Sequence, residues 1–390
     1  MWFIFVFFAL YAAMHAYIYV LAARALSWSA LVGAAVAAFL ALMVCAPLLT
    51  HYLERRGLSM AARASAWIGY TWMGAAFLFF CSSLVVGGYN AVAEMASVSG
   101  GMLSPRASLV VSALATLALT LYAGVEARRI RLERITLTTP RMPHNPGTVR
   151  IAQISDVHLG LMGSAGRLER LLRILTACDP DVLVSTGDLL DARMDGLAPL
   201  ARRLREFQTR FGKYAVTGNH EFYAGIDQAL EFTRQAGFTV LRGEAVSVAG
   251  LINIAGVDDP AAAAWAATRT AGDSEVLASL PRDRFTVLLK HRPVVTPGCA
   301  GRFDLQLSGH THKGQIFPFS LITRLSYPAH SGLRALGRDA YLYVSRGTGT
   351  WGPPFRLLAP PEVTLIDIHY DVAATASAAS STSRTSDQRP

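Results

Sequence analysis

Four runs of about 20 apolar residues, each long enough to cross a bilayer, crowd the first 125 positions of this 390-residue chain. They constrain its fold more than any other feature. They fall near Trp2–Ala23, Leu31–Leu49, Ala66–Val86 and Ala107–Gly124. None offers a polar face to water, which sets them apart from helices of a soluble bundle. The first lacks a basic leader, is too long for a signal peptide and is followed by three more. From about residue 148 the pattern changes to that of an ordinary soluble α/β domain. The averages of 52% hydrophobic and 16% charged residues therefore describe neither part.

With four spans, the N-terminus, the second loop and the segment after the fourth span share one side. That side carries Arg55, Arg56, Arg63, Arg128, Arg129, Arg131 and Arg134, against Arg24 and Arg106 opposite. An arginine excess marks the cytoplasmic face, so a multi-pass protein of the cell's inner (plasma) membrane with a cytoplasmic soluble domain is expected. The net charge of +9 is accounted for by these arginines meeting anionic lipid headgroups. No basic run interleaved with aromatics marks a nucleic-acid surface, and nucleic acid is not expected as a partner. Cys45, Cys81, Cys178 and Cys299 are scattered without a CxxC pair, which indicates neither a disulfide framework nor a zinc knuckle.

Beyond the transmembrane domain (1–125), residues 126–147 read as a connector, a basic helical extension running into a proline-rich loop. Strands and helices then alternate over 148–370. Strands are expected at Val149–Ser155, Asp181–Thr186, Tyr214–Thr217, Leu251–Val257, Phe285–Leu289, Asp304–Leu307, Ala340–Ser345 and Val363–Ile368. Helices are expected at Gly166–Ala177, where Leu168, Leu171, Leu172 and Leu175 keep helical spacing, and at Leu197–Arg210 and Ile226–Gly237. A βαβ order followed by strand-rich sequence predicts two sheets enclosed by helices. The Ala/Ser/Thr-rich tail 371–390 lacks the large apolar residues a fold requires and is expected to be disordered.

Five short motifs lie at or near the ends of these apolar runs: Asp156-Val157-His158, Gly187-Asp188-Leu189-Leu190-Asp191, Gly218-Asn219-His220-Glu221, Lys290-His291 and Gly309-His310-Thr311-His312. Strand ends are where open α/β sheets present ligand sites. Gly187, Gly218 and Gly309 are expected to supply the sharp turns, since glycine tolerates positive φ. Carboxylates and imidazoles together suit divalent Mn, Fe or Zn better than Ca or Mg. Two such ions can clamp a phosphoryl displacement and activate a water, so no serine or cysteine nucleophile is required.

The set DxH, GDxxD, GNHE, KH and GHTH resembles the calcineurin-like metallophosphoesterase family over roughly residues 148–368. Tyr343–Gly349 and Pro361-Glu362-Val363 look like the end of its bacterial membrane-linked branch. The resemblance implies a two-sheet αββα sandwich and two divalent ions. Asp156, His158 and His312 would hold the first, and Asn219, His291 and His310 the second, with Asp188 bridging. It further implies that His220 donates a proton, that Glu221 orients His220, and that Asp191 braces the loop bearing Asp188.

Lys290 and Lys313 depart from the usual pattern, and either face a phosphate or point into solvent. Arg346 and Arg356, in a Gly/Pro-rich region, read as phosphate contacts or as structural arginines. Residues 258–275 form an insert between strands, either near the site mouth or filler. The expected function is hydrolysis of a phosphoester or pyrophosphate that is membrane- or lipid-linked. Hydrolysis of UDP-2,3-diacylglucosamine, known within the resembled branch, is one specific form. A non-enzymatic metal-stabilised regulatory domain is the alternative of another class, disfavoured by the intact Asn219, His220 and Glu221. A transporter is disfavoured by the near absence of ionisable residues in the spans.

Overall fold

The computed structural model describes residues 2–97, 101–142, 147–191, 197–265, 270–337 and 339–371. The expectation for the tail lies beyond these, apart from Asp371. The chain forms two compact units, one of residues 1–127 with 352–357 and one of the remainder.

The first unit consists of α1 (Trp2–Leu26), α2 (Ala30–Arg55), α3 (Ser59–Met95) and α4 (Pro105–Glu126). All four are long and apolar enough to cross a membrane. Ser29 and Ser104 cap α2 and α4, their hydroxyls accepting from the amides of Val32 and Ala107. Leu31, Val85 and Leu121 point outward, so the exterior is apolar, the reverse of a water-soluble bundle. Small and polar side chains meet inside, as membrane helices require. Gly69 faces Ala46 with no room for a Cβ. Thr50 bonds Ser65 at 2.8 Å, and Trp72 Nε1 donates to His15 Nε2 at 2.9 Å. Residues 352–357 pack with this unit. Phe355 occupies the space beside Gly74, and the Arg356 amide donates to the Ala123 carbonyl at 3.1 Å. Arg356 is fully buried and is structural.

The second unit begins with β1 (Arg131–Thr139) and β2 (Thr148–Ile154), followed by α5 (Ser164–Cys178), β3 (Val182–Ser185), α6 (Ala198–Glu206), β4 (Lys213–Ala215), α7 (Asn219–Ala224) and α8 (Ile226–Gln235). Next come β5 (Thr239–Val240), β6 (Glu244–Val248), β7 (Ile252–Gly256), α9 (Ala262–Trp265), α10 (Asp273–Ala278), β8 (Phe285–Leu289) and β9 (Leu305–Ser308). It ends with α11 (Phe319–Ser326), β10 (Gly332–Gly337), β11 (Ala340–Val344) and β12 (Glu362–Tyr370). One mixed sheet runs β1-β12-β2-β3-β4-β5 and the other β10-β11-β9-β8-β7-β6.

Strand alternation explains the layers. Ile151, Val182 and Val184 face Ile254, Val287 and Leu289 between the sheets. Ala152, Ile154 and Leu183 turn the other way, onto Leu168, Leu171 and Leu175 of α5 and Leu204 of α6. Ala255 and Leu288 face Val276 and Leu277 of α10. These are the αββα layers expected, and the strands are apolar on both faces because both faces are covered.

The connector is a correction. Residues 131–139, within the segment 126–147 read as linker, form β1, paired in parallel with β12 along its whole length. Its burial alternates, with Ile135 and Leu137 inward and the arginines outward, and the density of charge hides that period. β6 and β10, at the opposite edges of the second sheet, have no counterpart in the expected strands for a related reason: edge strands are half-solvated.

Candidate metal centre

Each predicted ligand stands just beyond a strand: Asp156 and His158 after β2, Asp188 after β3, Asn219 after β4, His291 after β8, and His310 and His312 after β9. All but His310 are buried, and His310 is partly so. Three groups of donors converge: Asp156, His158 and His312; Asp188, His291 and His310; and His158, Asp191 and His220.

In the first group His158 Nε2 and His312 Nε2 are 3.0 Å apart, and His312 Nε2 is 3.3 Å from Asp156 Oδ1. In the second, His291 Nε2 lies 3.2 Å from each of Asp188 Oδ2, Asn219 Oδ1 and His310 Nδ1. Metal–ligand bonds of about 2.1 Å put neighbouring donors about 3.0 to 3.4 Å apart in octahedral or tetrahedral arrangements, so both groups have the spacing a divalent ion needs. The tautomer also fits. His291 Nδ1 donates to the Thr186 carbonyl at 2.8 Å, which leaves the Nε2 lone pair to face the donors.

The electrostatics agree. Burial pushes the Asp188 carboxyl upward, but His291, His220 and His158 outweigh it and hold it well below the usual range. Burial opposes charge on His291, yet Asp188 and Asp156 raise its pKa to about 10, so an ion at Nε2 would take the place of a proton there. Burial, with His291 beside it, lowers His310 to about 3, so His310 presents a neutral imidazole. The pocket attracts cationic charge and supplies lone pairs to receive it.

The backbone corrects the expected use of glycine. Gly187 does take a positive φ of 96°, but Gly218 sits at −103°. The left-handed conformation is adopted by the site residues themselves: Asp156 (51°), His158 (49°), Asp188 (52°), His310 (72°) and His312 (48°). Such conformations are costly and persist where surrounding structure enforces them. Gly218 and Gly309 are needed for close approach. A Cβ on Gly218 would collide with Asp188 Oδ1, and one on Gly309 with Ser155 Oγ and Asp156 Oδ2.

Glu221 and Asp191 exchange their expected tasks. The Glu221 carboxylate accepts from the amides of Asp188 (2.9 Å), Leu189 (2.7 Å), Leu190 (3.2 Å) and Gly218 (2.7 Å), so it shapes the loop that carries Asp188. His220 is oriented by Asp191, whose Oδ1 is 2.7 Å from His220 Nδ1. Local geometry decides this. Glu221 lies in the first turn of α7, where the free amides of its own N-terminus and the neighbouring loop point at it, while Asp191 is three residues past Asp188 and turns back toward the imidazoles.

Lys290 takes neither of its expected places. It is buried, with Nζ 2.6 Å from Asp273 Oδ2 and 3.0 Å from Thr296 Oγ1. Lys313 is partly buried in a left-handed turn directly after His312. Arg346 ion-pairs with Glu133 of β1 and Glu362 of β12 and ties the sheet edge. The insert begins at the site. Asp259 pairs with Arg292, the neighbour of His291, at 2.8 and 3.0 Å.

Several site residues lack a sequence signal. Arg167 donates to the carbonyls of Val157 (2.8 Å) and His158 (3.0 Å) and to Thr350 Oγ1 (2.7 Å), clamping the turn between two candidate ligands. The only hint is a cation beside the leucine stripe of α5. Trp351 and Tyr223, both exposed, stand with ring centroids 5.5 and 5.6 Å from that of His220. Gln315 pins the Trp351 backbone, donating to its carbonyl at 2.8 Å and accepting from its amide at 2.9 Å.

The model of the calcineurin-like phosphoesterase family matches residues 149–314. An uncharacterized metallophosphoesterase of Aquifex aeolicus is 41% identical over 249 residues, covering 63% of this chain and 95% of that protein. The chain belongs to the calcineurin-like metallophosphoesterase family. It is a metal-dependent phosphoester hydrolase. A transmembrane protein with metallophosphoesterase domain from Bos taurus is 30% identical over 320 residues, covering 76% of this chain and 72% of that protein. That share exceeds what residues 128–390 alone supply, so the similarity reaches into the helical unit. Metallophosphoesterase YkuE of Bacillus subtilis, also uncharacterized, is 32% identical over 281 residues and covers 66% of this chain and 93% of that protein. The apolar helices and the transmembrane relatives mark this phosphoesterase as a membrane protein.

Proposed function

We propose that this chain hydrolyses a membrane- or lipid-linked phosphate ester or pyrophosphate with two divalent ions held side by side. The observation that carries the reading is Asp188 Oδ2, which is 3.2 Å from His291 Nε2 and 4.0 Å from His158 Nε2 and so is shared between the two ligand sets. Asp156, His158 and His312 would hold one ion, Asn219, His291 and His310 the other, and Asp188 both. Mixed carboxylate and imidazole donors favour Mn, Fe or Zn. When bound, such ions polarise phosphoryl oxygens and lower the pKa of a coordinated water.

The chain's own residues supply positioning and a proton. Burial disfavours charge on His220, but Asp188 and Asp191 outweigh it and raise its pKa to about 9, so the imidazole carries a proton for the leaving oxygen at neutral pH. Asp191 accepts the Nδ1 proton of His220 and leaves the Nε2 proton to be given up. Trp351 and Tyr223 flank the imidazole and limit its contact with bulk water.

The arginine excess on one side of the spans supports a cytoplasmic catalytic unit in the inner membrane. Four candidate spans support a substrate met at the bilayer, such as UDP-2,3-diacylglucosamine. The test uses purified full-length protein with Mn, Fe, Zn or Mg, assayed against mono- and diesters, phospholipids and a UDP-linked lipid. Preference for the lipid-linked phosphates with two ions bound per chain is the expected result. Full activity with one ion would sink the two-ion reading, and preference for soluble esters the lipid reading.

A further inference from the structure

α11 follows the turn that carries His310 and His312. None of its eight residues is buried. Phe319, Leu321, Ile322 and Leu325 are all exposed, Leu325 at 84%, as is Phe317 just before it. At 100° per residue these four side chains span an arc of roughly 160°, with Ser320, Thr323 and Arg324 on the other side. An apolar stripe of this kind on a surface marks an interaction site.

Charge identifies the partner. Burial, followed by the nearby cations Arg324, Lys313 and Arg334, lowers the pKa of His330, which places three positive side chains around the segment that returns from α11. Arg334 also donates to the Pro328 carbonyl at 3.0 Å, two residues past the helix end. An apolar stripe flanked by cations suits the headgroup boundary of an anionic bilayer, and this chain already carries four candidate membrane helices.

The helix is also held firmly to the metal centre. Gly314, two residues after His312, has no room for a Cβ because the backbone of Phe319 and Ser320 lies against it. Thr311, between His310 and His312, donates to the His330 carbonyl at 2.7 Å. Tyr327, directly after α11, stacks edge-on against His310 at 5.4 Å.

We propose that α11 is an interfacial helix. Phe319, Leu321, Ile322 and Leu325 seat in the acyl–headgroup boundary of an anionic leaflet, Arg324, Lys313 and Arg334 meet lipid phosphates, and the metal centre is thereby held at the lipid surface. The inference is independent of which phosphoester is cleaved.

The test labels full-length protein carrying Leu325→Cys with an environment-sensitive fluorophore, in a background of Cys45→Ala and Cys81→Ala. The protein is reconstituted in vesicles of phosphatidylcholine, with or without phosphatidylglycerol. A label at Arg202→Cys, on the exposed face of α6, is the control. The Leu325 label is expected to be quenched by lipid-borne nitroxide and shielded several-fold from aqueous iodide, more so with phosphatidylglycerol, while the control is quenched by iodide alone. Ile322→Glu should return the label to water and leave hydrolysis of a soluble diester unchanged, which shows that the variant is folded. Equal iodide access at both labels would overturn the proposal. So would shielding that appears only at high protein-to-lipid ratio, which identifies a second copy of the chain as the occupant. Shielding equal in both lipid mixtures would overturn the anionic assignment.

Discussion

A single carboxylate oxygen, Asp191 Oδ1, addresses two imidazoles, lying 2.7 Å from His220 Nδ1 and 3.4 Å from His158 Nδ1. The first contact is a hydrogen bond. The second is a longer ion-pair contact. One side chain thus orients the His220 imidazole, the proposed proton donor, and adds negative charge behind His158, a candidate ligand.

Asp191→Asn should change the pH profile. With its pKa raised to about 9, His220 is protonated below that value, so the rate falls as pH rises through it. Removing the Asp191 charge should move this falling limb to lower pH and reduce kcat while KM changes little. A limb that stays in place would take His220 out of the control of Asp191. His220→Ala should keep its bound metal and lower kcat by roughly 10²–10⁴, the usual contribution of a general acid.

Asp188→Asn should cost both ions. The carboxylate stands between the two ligand sets, and an amide cannot bridge with the same charge. Metal analysis after dialysis should find occupancy reduced at both positions and hydrolysis abolished. Two ions retained with full activity would disprove the bridging role.

Gly309→Ala should damage the site more than the fold. A Cβ there collides with Ser155 Oγ and Asp156 Oδ2. Overpacking of this kind costs about 1–3 kcal/mol, a modest fall in Tm. Displacement of Asp156 should weaken metal binding more than tenfold by calorimetry. Wild-type affinity would show that the turn relaxes without moving its ligand.

Lys290→Met and Asp273→Leu should each destabilise the protein, because each leaves a buried charge unpaired at a cost of about 3–5 kcal/mol. The double variant should recover most of the loss in a thermal melt. Additive losses would mean that the pair does not act as a unit.

The clustering of the candidate ligands was legible because their placement is local. Asp156, Asp188 and His310 each follow a continuous apolar run, and strand ends converge whatever the details of the turns. The span helices and both-face-buried strands such as Val182–Ser185 were legible for the same reason, since apolar periodicity reports burial directly. Other features depend on neighbours distant in sequence. Glu221 and Asp191 are both acids beside the site, and only the direction in which α7 presents its amides distinguishes their tasks. Lys290 reads as a phosphate contact or a solvated lysine until Asp273 is seen to be beside it. In β1 the alternation of Ile135 and Leu137 is masked by arginine and glutamate, because a sheet edge tolerates charge.

The alternation of ligands between layers has a consequence for assembly. Asp156, Asp188 and Asn219 extend from the first sheet, and His291, His310 and His312 from the second. Contacts already cross this seam, where His291 donates to Thr186 and Gln153 to the Ser308 carbonyl. An ion gripped from both sides would act as a rivet, so its binding energy would count toward docking one sheet on the other. A chelator should therefore do more than silence the enzyme: it should loosen the join between its two halves and lower the temperature at which they part.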